Sequence, residues 1–197
     1  VLSEARSLGV RTTLLEQKMP PKEIHVIGVD PGVTTGWARV TIPRKCIWGD
    51  EPTSIISWET GQLRGRISDQ VWELARLARQ TQSLAFKIGP ALVVEDFDFG
   101  RPLKDPEVYT PVYFAQQLHF IAEKTALLND ARVFLQSRAL AKGTFTDERL
   151  GAAGVFARRG QTDHERDALR HALTALRRAK TSFPVRSALW DAQWAAA

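Results

Sequence analysis

Cysteine is almost absent from this chain: Cys46 stands alone. That excludes a disulfide framework within one chain and a cysteine-based zinc site, and it fits a reducing cytoplasm. Long apolar runs are also missing. No stretch approaches the roughly 20 residues that a membrane span needs, and residues 1–18 carry Glu4 and Glu16, so they do not read as a secretory signal. There is no internal repeat and no low-complexity segment. What remains is a chain of 197 residues, 44% hydrophobic and 25% charged, which suits one globular domain with a core of its own.

Charge is unbalanced toward the positive. The formal net charge is +5 and the pI about 9.7. Arginine dominates the later part, at Arg138, Arg149, Arg158, Arg159, Arg166, Arg170, Arg177 and Arg178. Guanidinium forks match phosphate oxygens. A polyanion such as DNA is the natural partner, bound in a salt-dependent way; a well-solvated basic surface is the alternative.

Residues 1–23 read as an N-terminal arm, stopped by Pro20-Pro21. Residues 24–30 are β-branched and apolar, a buried strand. Pro31-Gly32 turns the chain, and residues 35–42 resume as a second strand, with Gly36 at the bend. Residues 43–52 are expected to be a loop, and residues 54–61 a third strand. The period then changes: Ile67, Val71, Leu74, Ala75, Ala78 and Ile88 recur at helical spacing until Gly89-Pro90. Residues 91–96 read as a fourth strand and 97–109 as a loop. A helix is expected from Pro111 to Asn129, and a fifth strand at 132–135. Thr146 caps a short helix to Phe156, and a last helix runs from Asp163 to Lys180. Residues 181–197 form a tail that holds Trp190 and Trp194. This order predicts an α/β domain over residues 24–180, a mixed five-stranded sheet with antiparallel opening strands and later parallel ones, flanked by helices.

Four residues stand out against this frame. Asp30 and Glu95 each close an apolar strand, and the two strand ends should be neighbours at one edge of the sheet. His164 and Asp167 lie three apart at the start of the last helix, on one helical face. Together they make a set of hard ligands for Mg²⁺ or Mn²⁺, with two ions expected about 3.5–4 Å apart, the arrangement that drives phosphodiester cleavage. His164 could ligate a metal or shuttle a proton. Asp163 and His171 are each four residues from Asp167 and could support a ligand from behind. Thr34 and Thr35 could donate to a phosphate or merely close their turn. Gln116 and Gln117 could line a DNA cleft from the helix after residue 111. Taken singly, each acid also has a plain reading as a turn-former, a strand-end charge or a helix-dipole partner.

The segment Gly28-Val29-Asp30-Pro31-Gly32-Val33-Thr34-Thr35-Gly36 resembles the opening motif of the RuvC family of Holliday junction resolvases, within the ribonuclease H-like nucleases. Val93-Val94-Glu95-Asp96-Phe97 is similar to the family's second motif, and His164-Glu165-Arg166-Asp167-Ala168-Leu169 to its last. The likeness spans about residues 24–178. It implies a ribonuclease H-like fold, with catalysis and metal binding by Asp30, Glu95, His164 and Asp167. It also implies a homodimer that nicks four-way DNA junctions, working in a bacterial cell or a phage-infected host. An aromatic residue in the loop after Glu95 would stack on a junction base, which points to Phe97 or Phe99; Arg101 and Lys104 add positive charge to that loop. The segment 137–143, with Arg138 and Lys142, lies where relatives carry basic phosphate contacts. The loop after Glu95 is longer and more acidic than the family pattern, as in a divergent member.

Other readings are a hybrid-cleaving ribonuclease H-like enzyme, a flap nuclease, a catalytically dead DNA-binding module, or an ATP-binding protein of the actin and sugar-kinase type. The last would need a second domain and a second glycine-rich phosphate loop, neither of which the sequence offers. No nucleotide cofactor is expected.

Overall fold

A computed structural model describes residues 23–48, 54–81, 89–96, 109–124, 132–155 and 160–190. Strand β1 (Glu23–Asp30) pairs antiparallel with β2 (Thr35–Pro43), which pairs antiparallel with β3 (Ser57–Leu63). On its other side β1 pairs parallel with β4 (Ala91–Asp96), and β4 pairs parallel with β5 (Arg132–Ser137). The sheet order is β3-β2-β1-β4-β5, the mixed five-stranded arrangement expected from the sequence. β1 sits at the centre and is buried on both faces, which is why it reads as an unbroken apolar run.

Side-chain alternation divides the core into two layers. Ile24 and Val26 of β1, Ala38, Val40 and Ile42 of β2, and Val93 of β4 pack on one face. Above them lies α6 (Asp163–Thr181), with α1 (Lys45–Trp48), α5 (Asp147–Ala152) and α7 (Phe183–Leu189) around it. Ile27, Val29, Leu92 and Val94 face the other way, against α2 (Ile67–Gln80) and α3 (Thr110–Lys124). A last short helix, α4 (Arg138–Thr144), follows β5 directly.

α6 rests on the sheet more closely than side chains normally permit. A Cβ on Gly28 would lie 2.0 Å from the carbonyl oxygen of Ala168 and 2.7 Å from the amide of Ala172. A Cβ on Gly36 would lie 2.2 Å from the carbonyl oxygen of His164. These glycines are needed for the absence of a side chain: the backbone of α6 occupies the space where one would be. The small residues Ala168, Ala172, Ala175 and Ala179 supply the matching face of the helix.

The structure departs from the sequence expectations at several elements. Within the expected loop after Pro43, α1 forms because Cys46 and Ile47 are fully buried. β3 begins at Ser57, where pairing with Thr41 of β2 starts, and Ile56 is half exposed before it. α4 was not expected; Ser137 caps it by accepting from the amide of Leu140. Residues 181–190 fold back: Val185, Leu189 and Trp190 are buried in the core beneath α6. The continuation of the helix expected to 88, and of the one expected to 129, falls outside the described residues. Among the described residues, no helix is long and apolar enough to cross a membrane.

Gly28→Ala should cost about 3 kcal/mol of folding stability, because the atom it would meet first is a backbone oxygen that cannot rotate away. Urea denaturation measures this; an unchanged midpoint would mean that α6 can shift off the sheet freely.

Candidate metal centre

The site begins with strand register. Val29 of β1 is level with Val94 of β4, so Asp30 and Glu95 are the next residues of two adjacent parallel strands. Alternation sends both toward the α6 face, in line with Gly28 and Val93. Asp30 is buried at 5% exposure. The turn beyond it is closed by Thr35, whose Oγ1 accepts from the amide of Gly32 at 3.4 Å and donates to its carbonyl at 3.5 Å. Thr35 is fully buried and so serves the turn; Thr34 is half-buried beside it.

The N-terminus of α6 is pinned over these strand ends. Thr162 and Glu165 form a capping box: the Thr162 amide donates to Glu165 Oε2 at 2.8 Å, and Thr162 Oγ1 accepts from the Glu165 amide. Gln62 of β3 donates to the same Oγ1 at 2.7 Å, tying the helix start to the sheet. His164, Asp167 and His171 then fall on one face at spacings of three and four. His164 Nδ1 is 2.7 Å from Asp30 Oδ2, and His171 Nε2 is 3.1 Å from Glu95 Oε2. His171 is fully buried, whereas His164 has 48% of its side chain exposed.

Asp167 has a different company. Arg138 Nη2 is 3.2 Å and Lys142 Nζ 2.9 Å from its Oδ2, and Arg170 bonds its Oδ1. Arg170 also bonds Asp147 and donates to the Phe145 carbonyl at 3.0 Å, so it is itself fixed from three sides. Burial pushes the Asp167 carboxyl up, but Lys142 and Arg170 outweigh it and hold the acid below its ordinary value. Asp30 goes the other way. Burial raises it first and the Glu95 charge raises it further; the His164 hydrogen bond only partly offsets these, leaving a pKa of about 6.

Among the described residues, no three acid, histidine or cysteine side chains stand as a ready metal-binding group. The reason is visible in the pairing: Asp30 is engaged by His164, Glu95 by His171 and Asp167 by three cations. The donor chemistry nevertheless fits a hard divalent cation. Asp30 and Glu95 are acids whose mutual repulsion is only partly compensated, and a cation between them would relieve it. For Asp167 to join, Lys142 and its neighbours must give way.

The other candidates divide clearly. Arg138 and Lys142 stand at the acids, one helical turn apart on α4. Asp163 faces solvent and bonds Arg166, away from the site. Gln116 is exposed on α3, in the helix layer on the opposite side of the sheet. Phe97, Phe99, Arg101 and Lys104 lie outside the described residues. Sequence reasoning passed over Arg170 and Gln136. Arg170 could have been found from its i, i+3 spacing to Asp167, and Gln136 from its place beside Glu95 in the parallel register.

Asp30→Asn should raise stability at pH 8 in EDTA by about 3 kcal/mol, since a folded pKa near 6 against 3.8 unfolded penalises the ionised acid. The penalty is absent below the unfolded value, so the gain should vanish below about pH 4. Thermal melts across that range check it; a variant less stable at pH 8 would mean that His164 pairs the carboxylate fully.

Neither the models of known families nor the curated proteins give a match to this chain. Solved structures do. RuvC from Thermus thermophilus in complex with a Holliday junction substrate aligns over 81% of this chain and 96% of its own, with a TM-score of 0.53 and 16% identity. A second Thermus thermophilus RuvC structure aligns over 80% and 96%, at 0.53 and 17%. The chain therefore has a divergent RuvC-like form of the ribonuclease H-like fold.

Proposed function

We propose that this protein is a metal-dependent endonuclease that resolves four-way (Holliday) and related branched DNA junctions. The observation that carries the reading is the juxtaposition of Asp30 and Glu95 on adjacent parallel strands beneath His164 and Asp167 of α6. Asp30 and Glu95 would hold Mg²⁺ or Mn²⁺, with Asp167 and His164 completing a site for two ions. When bound, such cations polarise a phosphoryl oxygen and lower the pKa of water. The chain's own groups do the rest. His164, whose Nδ1 donates to the Asp30 carboxylate, keeps Nε2 as an acceptor that can take a proton or a metal. Arg138 and Lys142 have exposed heads beside the acids, placed to exchange Asp167 for a DNA phosphate. The net charge of +5 favours the same polyanion.

Resemblance to junction resolvases adds a homodimer, so that two sites make paired nicks, and a place of action in the bacterial or phage-infected cytoplasm. Phe97 or Phe99 would stack on an unpaired junction base, with Arg101 and Lys104 on the adjoining backbone.

Cleavage of a labelled four-way junction, beside duplex, flap and RNA–DNA hybrid, tests this reading with Mg²⁺, Mn²⁺ or EDTA. Symmetric metal-dependent nicks on the junction are expected. Asp30→Asn should abolish them while keeping or tightening DNA binding, because it removes one ligand and one repelling charge. Preference for hybrid or flap would keep the site and change the substrate. Wild-type nicking by Asp30→Asn would overturn the metal-centre assignment.

A further inference from the structure

The geometry points to Gln136 as the residue that positions Glu95 for a divalent cation, by fixing the tautomer and ring orientation of His171. This rests on the metal-centre reading above and extends it to a side chain that touches neither the cation nor DNA. Gln136 lies on β5, level with Glu95 of β4. It is 2% exposed.

Its amide nitrogen makes two contacts with one residue: 3.2 Å to the carbonyl oxygen of His171, and 3.1 Å to His171 Nδ1. A carbonyl oxygen can only accept, so the Gln136 atom facing it is the NH₂ group. The same NH₂ faces Nδ1, which must therefore accept as well. The ring proton is left on Nε2, and Nε2 lies 3.1 Å from Glu95 Oε2. The backbone carbonyl thus resolves the usual ambiguity of amide and imidazole, and the direction of every hydrogen bond from Gln136 to Glu95 follows. The result is a carboxylate with one oxygen held by a fixed donor. Oε1 lies 4.0 Å from Arg138 Nε.

A second observation separates this role from simple packing. Gln136 Oε1 is buried and has no hydrogen-bond partner among the described residues. An orphaned buried acceptor costs stability, and an apolar side chain of similar length would not carry it. The amide nitrogen is the part of Gln136 that is used, and it is used on His171. Groups that orient a ligand from behind typically change metal affinity by about 10–100-fold when removed.

The test compares wild type with Gln136→Leu and Gln136→Glu by two readouts that need no DNA cleavage. One is the nitrogen chemical shifts of His171 in metal-free protein; the other is Mn²⁺ affinity by calorimetry. Wild type should show Nε2 protonated and Nδ1 bare. Gln136→Leu should give a mixture of tautomers and bind Mn²⁺ at least about tenfold more weakly, with its melting temperature preserved. Gln136→Glu should protonate Nδ1 as well as Nε2, since a carboxylate would then face each ring nitrogen, and should weaken Mn²⁺ similarly. A wild-type ring protonated at Nδ1, or unchanged Mn²⁺ affinity in both variants, would overturn the proposal while leaving the nuclease reading in place. Wild type that binds Mn²⁺ in this Gln136-dependent way yet cleaves no DNA would remove the nuclease reading and support the proposal.

Discussion

Everything at the site depends on how close one helix can come to one sheet. The carbonyl of Ala168 lies where a side chain on Gly28 would be, and the carbonyl of His164 where one on Gly36 would be. A side-chain layer between α6 and the β1–β2 hairpin would lift His164, Asp167 and His171 away from the strand-end acids together. Gly28 lies two residues before Asp30, so the contact that seats the helix also sets the height of the acid beneath it. The capping box at Thr162 and the bond from Gln62 fix the remaining freedom, the position of the helix start along the sheet.

On that platform the charges are arranged unevenly. Asp167 is compensated beyond need by Lys142, Arg170 and Arg138, and is held ionised. Asp30 is under-compensated, and burial with the neighbouring Glu95 charge raises its pKa to about 6. The imbalance separates the two acids: Asp30 stands beside the charge of Glu95, whereas Asp167 is enclosed by the cationic side chains of Arg138, Lys142 and Arg170. Of those cations, Arg170 is itself anchored by Asp147 and the Phe145 carbonyl.

Much of this was legible in the sequence. The apolar runs that end in Asp30 and Glu95 are central strands buried on both faces, and such strands show as unbroken hydrophobic stretches. The α6 pattern was equally plain, because its buried face recurs from Ala168 to Ala179. The short elements were not. Helix α1 is a single turn built on Cys46 and Ile47, and α4 rests on a Ser137 cap; neither has length enough for a period to emerge. The role of α7 was hidden because Val185, Leu189 and Trp190 are buried by tertiary packing that no local pattern announces. Gly28 read as part of a motif, and only three-dimensional contact shows that α6 occupies its missing side chain. The bond from Gln136 to His171 was hidden for a related reason: the two residues lie 35 positions apart.

The bond between His164 and Asp30 joins residues 134 positions apart in the chain. α6 lies C-terminal to every strand of the sheet, so a nascent chain carries Val26, Val40 and Val93 before the helix that packs over them has been made. The acids therefore cannot meet their histidines in a nascent fragment. A fragment that ends before residue 163 would carry the strands and both strand-end carboxylates without the helix that completes them.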